Sequence, residues 1–100
     1  MRYTYKISTC YRFHAVVDGV KHNPGDLYQI LTADTRKGAT YEETKQLAKL
    51  DWMRPEYSDK RKTLEIFDPE GERIYLYDSV IGEWEAKGEE INKTVAVSEK

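Results

Sequence analysis

Thr63-Leu64-Glu65-Ile66-Phe67-Asp68-Pro69-Glu70-Gly71-Glu72-Arg73-Ile74-Tyr75-Leu76-Tyr77-Asp78, with Lys62 before it, reads as two strands, Lys62 to Phe67 and Arg73 to Asp78, around one tight turn. Pro69 presets φ at the second turn position and Gly71 accepts a positive φ at the fourth, which suits a type I turn closing on a G1 bulge. A three-residue loop sets Phe67 opposite Arg73, Ile66 opposite Ile74, Glu65 opposite Tyr75, Leu64 opposite Leu76 and Thr63 opposite Tyr77. Leu64, Ile66, Ile74 and Leu76 then share a core face. Phe67, Tyr75, Tyr77, Glu65 and Arg73 share the other. Ser79 to Gly82 can turn the chain into a third strand, Glu83 to Lys87. This half of the chain therefore predicts a three-stranded antiparallel meander.

Upstream lies a helix signal. Thr40 and Glu43 have capping-box spacing, and residues 41–52 contain neither Gly nor Pro. Thr44, Leu47, Ala48 and Asp51 fall on one face, with Tyr41 and Leu50 at its edges. Pro55 ends this helix, and Arg54 to Lys62 reads as a polar loop. A second, shorter helix is predicted over Leu27 to Arg36. Asp26 serves as its N-cap, Leu27, Ile30, Leu31 and Asp34 lie at helical spacing, and Gly38 sits just past its end. The run Leu27 to Thr32 also fits a strand. Asn23-Pro24-Gly25-Asp26 before it has type II turn composition.

The N-terminal stretch alternates from Tyr3 to Val17, with Tyr3, Tyr5, Ile7, Thr9, Tyr11, Phe13, Ala15 and Val17 on one side. A straight strand of that length would reach roughly 50 Å. It must therefore bend, bulge or split, and Ser8 to Cys10 is the expected place. Asp18-Gly19 is a type I′ turn signal, pairing Val17 with Val20 and Ala15 with His22. The expected fold class is α+β. An antiparallel sheet combines this hairpin with the C-terminal meander, and one or two helices lie between them. Residues 1–88 form a single domain, and 89–100 a polar tail expected to fray.

The 100 residues carry 16 basic and 18 acidic side chains, a net charge of −2. That balance does not suit a dedicated nucleic-acid binder. No apolar run approaches the roughly 20 residues that span a bilayer. The opening MRYTYKISTCYRF lacks the apolar region of a signal peptide, and the single cysteine cannot form an internal disulfide. The expected setting is cytoplasmic, with no membrane contact. Asn92-Lys93-Thr94 matches a glycosylation acceptor only by chance in that setting.

No constellation points to catalysis. Cys10 lies between Lys6 and Arg12, and nearby cations favour a thiolate. Its nearest candidate base, His14, is four residues along the strand, roughly 13 Å away. Cys10, His14 and His22 are scattered over two faces, which disfavours a zinc site. The six glycines are spaced as turns and caps rather than as a phosphate cradle. No enzyme activity, metal or cofactor is expected.

Two surfaces stand out for binding. Phe67, Tyr75 and Tyr77, with Glu65, Arg73 and nearby Trp84, form an aromatic face suited to a protein partner. Arg2, Lys6, Arg12 and His14, with Lys21 across the hairpin, form a basic stripe suited to an anion or nucleic acid. The expected function is a non-enzymatic binding protein that occludes a surface of a larger protein or protein–nucleic-acid complex. The alternative is a small-ligand or nucleic-acid binder that uses the basic stripe.

A helix feeding a three-stranded meander is carried by Thr40-Tyr41-Glu42-Glu43-Thr44-Lys45-Gln46-Leu47-Ala48-Lys49, Thr63-Leu64-Glu65-Ile66-Phe67, Arg73-Ile74-Tyr75-Leu76-Tyr77 and Ile81-Gly82-Glu83-Trp84. In this half the chain resembles the small anti-defence proteins of phages and mobile elements, anti-CRISPR proteins among them. The resemblance is one of architecture. It implies an inhibitor of host defence that works by binding, and it assigns no residue a role.

Overall fold

A computed structural model describes residues 2–86. The predicted tail over 89–100, and Lys87 of the third meander strand, lie outside the described residues. Seven strands and one α-helix run in the order β1 (Thr4–Tyr11), β2 (Ala15–Val17), β3 (Val20–His22), β4 (Leu27–Asp34), α1 (Tyr41–Trp52), β5 (Lys60–Phe67), β6 (Arg73–Asp78) and β7 (Gly82–Glu85). Five of the strands form one antiparallel sheet, ordered β4-β1-β5-β6-β7. Strands β2 and β3 form a separate hairpin. The α+β class is thus observed. The hairpin stands apart from the sheet, and one α-helix, not two, lies between strands.

Alternation along β1 decides which side of the sheet is buried. Tyr5, Ile7, Thr9 and Tyr11 are buried and their even-numbered neighbours are half-covered. The register brings Ile7 beside Leu64 and Tyr5 beside Ile66 under the helix. The expected break in the long N-terminal strand occurs in two places. The β1–β4 register shifts between Thr9 and Cys10, and residues 12–14 leave the strand before the hairpin begins. Beyond them the hairpin has the predicted pairs Ala15 with His22 and Val17 with Val20. Asp18 and Gly19 take φ of 52° and 80°, the double left-handed geometry of a type I′ turn.

The segment from Leu27 is a strand, and the helix expected there is absent. Asp26 does not cap a helix, because its Oδ2 accepts the Asn23 N–H at 2.8 Å and closes the preceding turn. Gly25 in that turn has φ of 96°. Tertiary pairing with β1 overrides the weak helical spacing. Leu31 and Ala33 then lie against the core edge, while Leu27, Ile30 and Thr32 are exposed.

Helix α1 begins with the complete predicted capping box between Thr40 and Glu43. Its buried residues are Tyr41, Thr44 and Ala48. Leu47, expected on the core face, is exposed, as is Leu50. Small side chains at the contact let the helix lie close to β1 and β5. Tyr5 and Tyr41 tie its ends to the sheet, donating to Asp51 and Glu85 respectively. Lys45 adds an ion pair to Glu85 at 2.7 Å. Thr40→Ala is expected to cost about 1 kcal/mol, read from a denaturant midpoint, because the Glu43 amide loses the Thr40 hydroxyl that accepts from it.

The segment predicted as a polar loop after the helix holds a buried anchor. Pro55–Tyr57 is a single 3₁₀ turn, and Tyr57 is fully buried. Its hydroxyl donates to Gln29 Oε1 at 2.7 Å, which ties the turn to β4.

The β5–β6 hairpin departs from the expected register. The turn itself is as expected: Asp68 N–H donates to the Glu72 carbonyl, Gly71 has φ of 89°, and Phe67 faces Arg73. The next pair is Ile66 with Tyr75, followed by Glu65 with Leu76 and Leu64 with Tyr77. Ile74 is therefore the extra residue of a β-bulge. The bulge allows the consecutive Ile74 and Tyr75 both to be buried. It also turns Tyr75 and Tyr77 to the helix side and Leu76 to the open side. Burying Tyr75 and half-covering Tyr77 in place of one leucine removes more apolar surface from water. The Tyr75 hydroxyl is satisfied by Glu83 Oε2 at 2.5 Å.

Candidate functional site

The bulge divides the predicted aromatic face between the two sides of the sheet. Tyr75 is 1% exposed in the core, and Tyr77 packs against that core. The Tyr77 ring lies 5.1 Å from that of Trp52. Phe67, Glu65, Arg73 and Trp84 remain on the open side, joined by Leu76 and Lys6. Arg73 pairs with Glu65 at 3.2 Å. The open side is thus a mixed surface in which Trp84 is the large exposed aromatic residue.

The basic stripe is not one surface either. Arg2 lies before β1, and Lys6 sits mid-sheet on the open side. Arg12 and His14 are in the link to the hairpin, and Lys21 is in β3. Arg12, His14 and Lys21 are the exposed members that the fold keeps near the hairpin.

Cys10 sits on the open side, opposite Arg61. A depression of about 450 Å³ there includes Ser8, Cys10, Arg12, Arg61, Thr63 and Asp78. Asp78 is committed to structure. Burial raises its carboxyl pKa, but the Val80 and Ile81 amides, Thr63 and Arg61 together hold it below its ordinary value. Its carboxylate receives those amides at 2.8 and 3.1 Å, and Arg61 lies 3.2 Å away. Among the described residues, no three metal-ligating side chains converge.

On the helix side, a groove of about 400 Å³ runs between α1 and β6–β7, lined by Lys49, Trp52, Met53, Leu64, Tyr77 and Glu83 among others. Trp52 is itself held by Lys62, whose ammonium lies 4.6 Å from the Trp52 ring centre and donates to the Trp52 carbonyl.

The hairpin is the feature the alternation could not rank. Phe13, Val16, Val17 and Val20 are 60%, 66%, 45% and 55% exposed. Pairing puts Val17 and Val20 on one face with Ala15, and Val16 on the other with Lys21. The base is held by His22 stacked on Tyr11, with ring centres 4.5 Å apart. Between the hairpin and the sheet end is a cleft of about 310 Å³, walled by Tyr11, Phe13, Val17, Tyr28 and Lys60 among others. Lys60 lies 4.4 Å from the Tyr28 ring centre and pairs with Asp59 at 2.7 Å. Sequence reasoning missed the arm because it assumed that the hairpin was part of the sheet. The valines of Ala15 to Val20 mark a hairpin, but they carry no signal that it stands apart from the sheet.

No family model, curated protein or solved structure matches the chain. Among the described residues, no helix is long and apolar enough to cross a membrane.

Proposed function

We propose that this is a non-enzymatic binding protein whose projecting β2–β3 hairpin docks onto a larger protein partner and occludes part of its surface. The supporting observation is the exposure of Val16, Val17 and Val20 on the hairpin and of Phe13 in the link that leads into it. Clustered exposed apolar groups mark contact sites. Arg12 and His14 in the link and Lys21 on β3 are exposed cations in the same part of the chain. Occlusion of a larger complex is what the resemblance to anti-defence proteins implies, and a projecting arm suits it.

The test compares capture from a native host extract by the wild-type protein and by a Phe13→Ala, Val17→Ser, Val20→Ser variant with an unchanged thermal melt. Loss of one interface anchor typically costs at least about 2 kcal/mol, or roughly thirtyfold in affinity. Capture by the variant should therefore fall to background, and wild-type capture should persist in high salt. Undiminished capture by the variant would move the site to another surface. Capture of nucleic acid that collapses as salt rises would favour the basic reading, now confined to Arg12, His14 and Lys21.

A further inference from the structure

The two edges of the five-stranded sheet are unlike. Strand β7 is four residues long and carries Glu83 and Glu85, a short and charged edge of the kind that resists pairing. Strand β4 is eight residues long, Leu-Tyr-Gln-Ile-Leu-Thr-Ala-Asp, with neither Lys nor Pro and with its only charge at the last position, Asp34. The hydrogen bonds at its end fix which groups face outward. The Thr35 N–H donates to the Tyr3 carbonyl at 3.0 Å, so the odd-numbered residues of β4 present their main chain to β1. Thr9 Oγ1 donating to the Gln29 carbonyl at 2.9 Å has the same parity. Ile30, Thr32 and Asp34 therefore turn their N–H and C=O groups outward, away from the sheet.

We propose that β4 pairs antiparallel with β4 of a second copy of this chain, forming a two-fold dimer with a continuous ten-stranded sheet. Centred on Thr32, this pairing sets Ile30 opposite Asp34 of the other copy and Thr32 opposite its own equivalent. Roughly six main-chain hydrogen bonds then satisfy all the outward groups of the three residues. On the helix side, Leu31 meets Ala33 of the other copy. Both residues are half-covered where the core layer ends, so each copy continues the apolar layer of the other. On the open side, the two Thr32 side chains form a favourable cross-strand pair. The two Asp34 carboxylates are kept apart, each facing Ile30 instead of the other acid. The occupant is self-complementary in hydrogen bonding, apolar pattern and charge. The short acidic β7 edge stops the assembly at two copies. This dimer is independent of the hairpin reading, because it uses none of Phe13, Val16, Val17 and Val20.

Sedimentation velocity of the purified full chain, from low micromolar to near-millimolar concentration, tests the proposal. The mass should rise from one chain to two and no further. Hydrogen exchange at the Ile30, Thr32 and Asp34 amides should slow as the dimer forms. Thr32→Lys places two ammonium groups together at the two-fold axis, and Thr32→Pro removes the central outward N–H. Either variant should remain a single chain across the range while keeping the wild-type circular dichroism, and the lysine variant serves if the proline variant fails to fold. A single-chain mass at every concentration overturns the proposal and leaves β4 to a foreign strand. A dimer that survives Thr32→Lys overturns it as well, because the interface then lies elsewhere.

Discussion

Tyr75→Ala is expected to remove about 3–5 kcal/mol of folding stability, the usual cost of truncating a buried aromatic side chain. Tyr75 is 1% exposed, and its loss also strips Glu83 of the phenol that donates to it. Leu76→Ala, one residue on, should cost only about 1 kcal/mol, because that side chain lies half-covered on the open side. Denaturant unfolding of the two variants makes the comparison. The regular register reverses the order, since it would put Leu76 in the core and Tyr75 on the surface. A larger loss for Leu76→Ala would therefore remove the bulge at Ile74.

Alkaline unfolding is the second large effect. Burial raises the pKa of the Tyr5 hydroxyl from 10.0 to about 12, helped by its hydrogen bond to Asp51. Burial raises Tyr41 and Tyr75 as well, with Glu85 and Glu83 holding their protons in turn. In each case the folded state favours the neutral phenol, and the unfolded chain ionises near pH 10. Stability is therefore complete below pH 10 and falls as pH rises from 10 toward 12, because ionisation is linked to unfolding. Tyrosinate absorbance and the denaturant midpoint, followed together, should move as one transition for these three residues. Ordinary titration of all eight tyrosines in a folded protein would mean that the three phenol–carboxylate pairs do not form.

The elements that were legible in the sequence are those whose signals are local. The Thr40–Glu43 box, the Asp18-Gly19 turn and the Asp68 to Gly71 turn each specify their geometry within four residues, and each is observed. Alternation along β1 was enough to name its buried side. Two errors came from competition between local pattern and distant partners. Leu27 to Asp34 has helical spacing, but a free edge on β1 makes it a strand. The Ile74 bulge is invisible to a count that assumes strict period two, and one extra residue turns every later side chain to the other face. That single residue split the predicted aromatic site, leaving Phe67, Glu65, Arg73 and Trp84 on the open side and taking Tyr75 and Tyr77 away. The hairpin arm was legible as a hairpin, but its separation from the sheet depends on the break at residues 12–14, for which no residue there gives a turn signal.

The way α1 is held has a mechanical consequence. Its middle meets the sheet through Ala48 and Thr44, both fully buried and small, which sets how near the helix lies but offers little to grip. Its two ends are fastened by directional bonds, Tyr41 to Glu85 on β7 and Tyr5 on β1 to Asp51. The helix is a beam pinned at both ends over a smooth bearing. Apolar contact fixes its height, and the two phenols fix its azimuth. The pins lie on strands separated by β5 and β6, so the same bonds brace the sheet against shear and make the helix a cross-strut as well as a cover.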